Sequence, residues 1–344
     1  MRGEADELRG RTCLVTGASS GMGEVIATDL AGRGASVVML CRDPARGEAA
    51  RRRVVQASGS LGVELLLADL SDQSAVRRAA SEFARSHAEL HVLVNNAGAH
   101  VTHHQESVDH IELNLAINHL SAFLLTNLLL DMMKASGHAR VVNVASQAMT
   151  KSIDLDVLRQ GPLGRPTTSG KFRPFEVYGQ AKLAMVLCGY ALARRTPPDV
   201  VTVNALHPGI TATKIVDDVS PPYLRPFVGI IKRFLSTPEQ GAQTAIMLAT
   251  DAELATVTGR YFIKGRDRPS VPASYDERLQ DETWELSARL VGLGAAGSGA
   301  GGPRQGKWRD AELPGVGRLA PPADEVSQPD AGDAQTPDNE RGPL

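Results

Sequence analysis

Thr12-Cys-Leu-Val-Thr-Gly-Ala-Ser-Ser-Gly-Met-Gly23 is the stretch that decides the fold of this 344-residue chain. Its first five residues form an apolar, β-branched run, which predicts a strand buried on both faces. Gly17, Gly21 and Gly23 follow, and an amphipathic stretch, Glu24–Arg33, comes after them. Glycines allow a tight turn, and the free N–H groups at the start of a helix attract an anion such as a pyrophosphate. A plain strand–helix turn is the structural alternative.

The same alternation of strand and helix patterns continues along the chain. Seven short apolar runs predict strands, at Thr12–Thr16, Ser36–Leu40, Val63–Ala68, Val92–Asn95, Arg140–Ala145, Val200–Leu206 and Arg260–Ile263. The stretches between them predict helices, at Glu24–Arg33, Pro44–Ser58, Ser74–His87, Val108–Lys134, Phe175–Arg195 and Pro238–Thr250. Strands joined by helices at this spacing form parallel sheets with right-handed crossovers. We therefore predict an α/β, Rossmann-type doubly wound fold, with a seven-stranded parallel sheet and helices on both faces.

The composition divides the chain into one folded domain and two terminal segments. We predict a flexible N-terminus over residues 1–10, a single domain over 11–293 and a disordered tail over 294–344. The tail is rich in Gly, Pro, Ala and Asp and has few large apolar side chains. Residues 147–174 and 215–237 interrupt the strand–helix alternation, and insertions of this kind tend to be functional, so we expect them to border a substrate site.

Charge and composition exclude several classes of function. Lys and Arg total 37 and Asp and Glu total 39, so the net charge is −2 and nothing favours a nucleic-acid partner. The three cysteines lie far apart and fit neither a disulfide framework nor a zinc site. Polar residues interrupt the aliphatic run Leu120–Met133, which falls short of the roughly 20 apolar residues of a membrane span. We therefore expect a cytoplasmic protein with no membrane span.

Four histidines lie close together in the sequence, at His100, His103, His104 and His110. A metal site is one interpretation of such a cluster. Solvated loop residues are the simpler interpretation, and we predict no metal site.

The residues after the second predicted strand bear on the type of dinucleotide that this fold would take. In such sheets a carboxylate here binds the 2′-hydroxyl of NAD, whereas an arginine accommodates the 2′-phosphate of NADP. Arg42 comes first and Asp43 follows, which favours NADP(H) over NAD(H). A solvated residue at the start of a helix is the structural alternative for Arg42. Asp69, after the third strand, would accept from the adenine amino group or, with Ser71, begin a helix.

Seven short motifs occur in the order that one enzyme family shows. They are Thr16-Gly-Ala-Ser-Ser-Gly-Met-Gly23, Asp69-Leu70, Asn95-Asn-Ala-Gly98, Asn118, Ser146, Tyr178-Gly-Gln-Ala-Lys182 and His207-Pro-Gly209. On these motifs the chain resembles the short-chain dehydrogenase/reductase family over residues 10–265. Three further segments, Cys41-Arg42-Asp43, Asn118-His-Leu120 and Glu282-Thr-Trp-Glu-Leu-Ser287, resemble its retinol-dehydrogenase-like branch. We expect no counterpart here of the membrane anchor that many animal members carry.

The resemblance implies an oxidoreductase that moves a hydride between a nicotinamide and an alcohol or carbonyl carbon. Tyr178 would be the acid/base, and Lys182, one helical turn later, would lower the pKa of its phenol. Ser146 would hydrogen-bond the substrate oxygen, and Asn118 would hold a water that links Lys182 to solvent. Many members have a second serine where this chain has Ala145. An ordinary helix pair and two structural polar residues are the alternatives for these four positions.

The resemblance also implies the residues that hold the dinucleotide. They are Gly17, Ser19, Ser20, Gly21, Met22, Arg42, Asp69, Leu70, Asn96, Ala97, Gly98, Tyr178, Lys182, Pro208, Gly209, Ile210 and Thr211. Asn95 and Asn96 would also serve a structural role, by bracing neighbouring strands.

The expected substrate is a small-molecule alcohol or carbonyl compound. Residues 215–235 carry many apolar side chains, among them Tyr223 and Phe227, which would form a lid over an apolar substrate. Packing of these side chains on the sheet is the alternative. A catalytically silent dinucleotide-binding sensor or scaffold is a second functional hypothesis, and an epimerase or dehydratase is a third.

Many family members pair through two long helices, here Val108–Lys134 and Phe175–Arg195. A homodimer or homotetramer of this chain would use apolar residues on them, such as Leu124, Leu128, Met185 and Leu192. Core packing within one chain explains the same residues.

Overall fold

A computed structural model gives the structure of the chain and describes residues 7–155, 172–209 and 237–293. Its strands are β1 (Thr12–Thr16), β2 (Ser36–Cys41), β3 (Val63–Leu67), β4 (Val92–Asn95), β5 (Ala139–Val144), β6 (Val201–His207), β7 (Tyr261–Ile263) and β8 (Arg266–Asp267). Its main helices are α1 (Gly21–Gly32), α2 (Pro44–Ser58), α3 (Gln73–Ser86), α4 (Leu113–Ser136), α5 (Pro174–Arg195), α6 (Pro238–Thr250) and α7 (Glu277–Leu290).

All described strands belong to one twisted sheet with the order β3-β2-β1-β4-β5-β6-β7-β8. The strand order reverses between β1 and β4, and in open α/β sheets ligands bind at such a point, beyond the carboxyl ends of the strands. The α/β fold and its seven parallel strands are confirmed, but the predicted strand count is one too low. The eighth strand, β8, is antiparallel to β7 after a tight turn at Lys264 and Gly265. Its two exposed residues give no apolar run that would reveal it.

Helices cover both faces of the sheet, as predicted. One face packs against α1, α2 and α6, and the other against α3, α4 and α5, with α7 packed on α5. The side chains of β4 and β6 are buried along their whole length. A sheet covered on both faces accepts aliphatic residues at every position, which is why these strands show no alternating pattern.

The predicted helix Val108–Lys134 begins later and is not uniform. Ser107 donates its N–H to the carbonyl of Ile111, forming a turn that leaves Val108 74% exposed. α4 therefore begins at Leu113, and its second segment, Ala116–Leu120, is a π-helix before the α-helix resumes. A π turn inserts one residue into a helix and is frequent at functional sites.

α4 is also long and apolar enough, by length and composition, to cross a membrane, and it is the one described helix of this kind. It has 24 residues, a mean hydropathy of 1.4 in its most apolar window, and 67% of that window is buried inside the domain. Many of its apolar side chains belong to the core between the sheet and α3. A helix at the centre of a folded domain shows these same values.

The ends of the domain add two observations. Leu8, inside the predicted N-terminal segment 1–10, is buried, and its N–H donates to the carbonyl of Arg33. α7 was not among the predicted helices, and it packs against α5 near the end of the described chain. The predicted tail over 294–344 and large parts of both predicted insertions, 156–171 and 210–236, lie outside the described residues.

Candidate active site

The glycine turn after β1 is shaped so that side chains are excluded from it. Gly17 has a φ of +68°, and a Cβ there would lie 2.9 Å from the Cα of Ala97. A Cβ on Gly23 would lie 2.5 Å from the carbonyl oxygen of Gly17. Gly21, with a φ of +59°, instead has no atom within 4 Å of its Cβ position. The turn therefore packs tightly against β4 while leaving open space where α1 begins.

Polar groups surround that open space. Ser20 stands at the N-cap of α1, but its side chain caps no N–H group of the described chain. The N-terminal turn of a helix carries unpaired donors and a partial positive charge, which together favour an anion. Together with Ser19 and Met22, which are also partly exposed, these residues fit the pyrophosphate of a dinucleotide.

The end of β4 is fixed to the same turn by side-chain hydrogen bonds. The Asn96 side chain donates to the carbonyl of Thr16 at 2.9 Å, and the Thr16 hydroxyl accepts from the N–H groups of Asn96 and Ala97, both at 3.0 Å. Asn95 instead donates to Thr126 and Asn143 in the core. Both asparagines therefore have the bracing role that the sequence suggested.

The end of β2 presents an arginine rather than a carboxylate. Asp43 is the N-cap of α2 and accepts from the N–H of Arg46 at 2.8 Å. Arg42 is exposed, and its guanidinium makes no ion pair within the part of the chain that the structure describes. The Cys41 thiol accepts a hydrogen bond from the N–H of Ala18, so this end of β2 lies against the glycine turn.

Asp69 and Leu70 follow β3. One Asp69 oxygen accepts from both the N–H and the hydroxyl of Ser71, at 2.9 and 2.7 Å, which forms a local turn. The N-cap of α3 is Asp72, three residues later. Leu70 is half-buried against the core. The structure thus shows that Asp69 pairs with Ser71 in a turn, although it does not cap the helix.

The four predicted catalytic side chains come from three elements, and two of them, Asn118 and Lys182, meet beside Gly98. A Cβ on Gly98 would lie 2.9 Å from Oδ1 of Asn118 and 3.5 Å from Nζ of Lys182. Lys182 is buried, donates to the carbonyl of Val144 at 2.8 Å, and has its Nζ 5.9 Å from the centre of the Tyr178 ring. A side chain at position 98 would therefore crowd the Asn118 amide and touch the Lys182 ammonium.

Asn118 lies in the π segment of α4, and hydrogen bonds on both sides hold its amide. Its Nδ2 donates to the carbonyls of Ala99 and Asn114, at 2.7 and 2.9 Å, and its Oδ1 accepts from the N–H of Ala99. Asn114 makes an equivalent pair with Val101 and is itself held by the buried carboxylate of Glu112. Two asparagines one turn apart therefore attach the loop after β4 to α4.

Ser146 follows β5 and is joined to Tyr178 by a side-chain hydrogen bond. A contact that the sequence analysis missed brings these two elements together. A Cβ on Gly179 would lie 2.5 Å from the carbonyl oxygen of Ala148, so only glycine lets α5 approach the loop after β5 this closely. The signal was present, because a glycine inside a helix costs about 1 kcal/mol relative to alanine and needs a packing reason.

The direction of the Tyr178 pKa shift was predicted wrongly. Burial raises the pKa of Tyr178, and the hydrogen bond with Ser146 offsets part of this rise. The Lys182 ammonium donates to the carbonyl of Val144 and lies over the Tyr178 ring, with its Nζ 5.9 Å from the ring centre, and it does not produce the expected decrease in the pKa of Tyr178. Burial also lowers the pKa of Lys182 to about 8.

The histidine cluster separates into two kinds of residue. His103, His104 and His110 are exposed, as expected for a loop. His100 is buried, with its ring centre 4.5 Å from that of Phe175 and 5.5 Å from that of Tyr178, so it was wrongly predicted to be solvated. No three His, Cys, Asp or Glu residues in the described chain are grouped so that they could hold a metal.

The remaining predicted positions divide between two regions. Pro208 and Gly209 follow β6 at the same edge of the sheet, and Gly209 has a φ of +89°. Ile210 and Thr211 lie outside the described residues. Of the four apolar residues considered for subunit pairing, Leu124, Met185 and Leu192 are buried inside this one chain, and Leu128 is partly buried.

Known proteins are similar to this chain in sequence and in architecture. Residues 11–155 match the family model described as short chain dehydrogenase. Human retinol dehydrogenase 14 is 36% identical over 307 residues, which cover 85% of this chain and 89% of that protein. Human dehydrogenase/reductase SDR family member 13 is 36% identical over 338 residues, which cover 98% of this chain and 88% of that protein.

Solved structures have a similar fold. A protein of uncharacterised function from Mycobacterium paratuberculosis superposes with a TM-score of 0.64 and 30% identity, covering 83% of this chain and 94% of that one. An active-site complex of Pseudomonas aeruginosa RhlG with NADP superposes with a TM-score of 0.59 and 27% identity, covering 76% of this chain and 96% of that one.

Proposed function

Because the chain belongs to the short-chain dehydrogenase/reductase family, in its retinol-dehydrogenase-like branch, we propose that it is an NADP(H)-dependent enzyme in which Tyr178 exchanges a proton with an apolar substrate. Interconversion of alcohols and carbonyls with NAD(P) follows from the family itself. The observation that carries the proposal is a chain of contacts beside a turn that fits a pyrophosphate: Asn118 and Lys182 meet at Gly98, Lys182 lies over the Tyr178 ring, and Tyr178 interacts with Ser146.

The chain's own residues supply the proton and its path, whereas a bound nicotinamide supplies or accepts the hydride. Ser146 and Tyr178, joined by their hydrogen bond, both have hydroxyls that can bond to one substrate oxygen. Because burial raises the pKa of Tyr178, its phenol is protonated at neutral pH. It is therefore ready to donate a proton to the developing alkoxide, which favours carbonyl reduction at neutral pH, whereas alcohol oxidation needs the phenolate and is favoured at alkaline pH.

Lys182 and Asn118 would replace the proton that Tyr178 gives up. With a pKa of about 8, Lys182 is protonated in most molecules at neutral pH. One of its three N–H groups bonds to Val144, which leaves two for the ribose hydroxyls of a dinucleotide and for a water. The rigidly held Asn118 amide is the natural site for that water, since buried waters need several fixed polar partners.

The preference for NADP(H) is supported by the end of β2. Asp43 has an oxygen committed to capping α2, whereas the Arg42 guanidinium is exposed beside the glycine turn. A guanidinium there can bind a 2′-phosphate through charge-assisted hydrogen bonds, whereas the neighbouring Asp43 carboxylate caps α2.

The apolar substrate is supported by the residues beside the phenol. Phe175 precedes Tyr178 by three residues, lies on the same helix face and is 54% exposed. It packs on the ring of His100, and the two rings form an aromatic wall next to Tyr178. Exposed aromatic surface of this kind binds apolar groups. The predicted lid over 215–235 lies outside the described residues and adds nothing to this support.

A series of carbonyl substrates tests the proposed function. Turnover of NADPH, followed by its absorbance, is measured with linear aldehydes of increasing length, with retinal-like and steroid-like carbonyls, and with small polar ketones. Each methylene buried contributes about 0.8 kcal/mol, so we expect kcat/KM to rise about fourfold per methylene until the wall is covered. Preference for the small polar ketones would contradict an apolar substrate, and absence of turnover with every carbonyl would contradict the enzyme itself.

A further inference from the structure

A buried hydrogen bond joins α7 to the π segment of α4. Nε2 of His119 lies 2.7 Å from Oγ of Ser287, and the two residues are 1% and 2% exposed. The Ser287 hydroxyl donates its own hydrogen to the carbonyl of Thr283 at 2.7 Å. Ser287 must therefore accept from His119, which fixes the histidine as the tautomer with its hydrogen on Nε2.

His119 stays neutral, with its hydrogen on Nε2, at neutral pH. Burial lowers its pKa to about 3, and the nearby Lys182 ammonium lowers it further. The neutral ring has one N–H to give, and Ser287 is the oxygen that it reaches. Without the Ser287 hydroxyl, Nε2 is left with the Cys188 sulfur at 4.0 Å, a weak acceptor. A buried donor left so poorly paired costs more than the bond itself, because the group stays desolvated.

The position of His119 matters because it is the neighbour of Asn118. Both lie in Ala116–Leu120, where the π turn departs from regular α-helical geometry. A π turn inserts an extra residue, so its side-chain directions depend on contacts outside the helix. Asn118 is held on one side by Ala99, and His119 is held on the other by Ser287.

α7 is docked by several contacts besides this bond. The ring of Trp284 packs on that of Phe123 with their centres 4.8 Å apart, and the Arg195 guanidinium lies over the same indole. Arg194 and Arg195 each pair with Asp281 at 2.8 Å. Removal of the Ser287 hydroxyl alone should therefore leave α7 in place. The effect of this removal on the π turn can then be measured without loss of the helix.

We propose that Ser287 is a positioning residue, which fixes the π turn through His119 and thereby holds Asn118 in line with Lys182. The inference rests on the proton relay proposed above, in which Asn118 holds the water. It assigns the C-terminal helix a part in proton transfer, although α7 contributes no side chain to the contacts beside Gly98.

The test combines Ser287→Ala with Ser287→Thr, which keeps the hydroxyl. We expect Ser287→Ala to lower kcat about tenfold, with the Kd for NADPH unchanged, because a misplaced relay group slows chemistry without weakening binding. Ser287→Thr should recover most of the lost kcat. Thr283→Val is the matched control, since it removes another buried hydroxyl of α7, which donates to the carbonyl of Leu279, and should leave kcat unchanged.

A double-mutant cycle with Asn118→Ala separates positioning from a general structural effect. If Ser287 acts through Asn118, then Ser287→Ala should cost little more once Asn118 is alanine. The same tenfold loss in both backgrounds, or no loss in the wild-type background, would overturn the positioning role while leaving the proposed function intact. An Asn118→Ala enzyme with full activity would instead refute the relay on which the inference rests.

Discussion

Replacing Tyr178 by phenylalanine is expected to lower kcat by about 10²–10⁴-fold, the usual contribution of a positioned acid or base. The substitution removes one oxygen from a side chain that interacts with Ser146 but packs on His100 through its ring. The ring contact survives in phenylalanine, so the Kd for NADPH should stay within about twofold, well under the tenfold that 1.4 kcal/mol represents. Turnover is followed by NADPH absorbance and binding by titration of cofactor fluorescence.

Tyr190→Phe is the matched control for this substitution. Tyr190 lies on the same helix, is buried, and bonds through its hydroxyl to Ser270 at 2.9 Å. Its loss should cost about 1 kcal/mol of unfolding free energy and leave kcat unchanged. A Tyr178→Phe protein that loses cofactor binding together with turnover, or that loses neither, would contradict the assigned role. Retained binding without turnover would also argue against a catalytically silent sensor as the native function.

Arg42→Ala is expected to weaken NADPH binding by about 1.5–3 kcal/mol, or roughly 10- to 150-fold, while the Kd for NADH changes little. The reason is that a charge-assisted contact to the 2′-phosphate is lost, and NADH has no such phosphate. Binding of both cofactors is measured at low and moderate ionic strength, and the difference should shrink as salt is added.

Arg52→Ala provides the charge control for Arg42→Ala. Arg52 lies on α2 and is 70% exposed in its side chain, so its removal changes the net charge equally without touching the end of β2. This control substitution should leave the Kd values for NADPH and NADH nearly unchanged. Equal losses for NADPH and NADH in Arg42→Ala, or an equal loss in the control, would show that Arg42 does not select the cofactor.

The sequence predicted the parallel sheet well because burial on both faces leaves a mark at every strand position. β1 and β4 have the predicted bounds, and β5 and β6 differ by one residue at each end. The same reasoning could not detect β8, whose two residues are exposed and held by a turn. α7 was also not predicted. Its segment Glu282–Ser287 was used only for its resemblance to the retinol-dehydrogenase-like branch, and no helix was predicted from its apolar spacing.

The sequence could indicate which residues form the candidate site, but it could not give their pKa values or the local geometry of the helix that carries Asn118. Motif order named Asn118 and Lys182, which the structure brings together beside Gly98, whereas their roles in the reaction stay predictions. The pKa of Tyr178 could not be predicted, because it depends on burial and on where the Lys182 ammonium points. The π turn was likewise invisible, since no residue pattern in Ala116–Leu120 distinguishes it from an ordinary helix.

A structure of the protein with NADP⁺ and a carbonyl-like inhibitor is the most direct test of the central claim that Tyr178 exchanges the proton. We expect the inhibitor oxygen to lie within about 2.6–3.2 Å of the Tyr178 hydroxyl, as proton transfer requires, with the nicotinamide C4 facing the carbon that bears this oxygen. We also expect the pyrophosphate to lie over Gly21 and the start of α1. A nicotinamide ring bound away from Tyr178, or an inhibitor oxygen held by other residues, would contradict the claim.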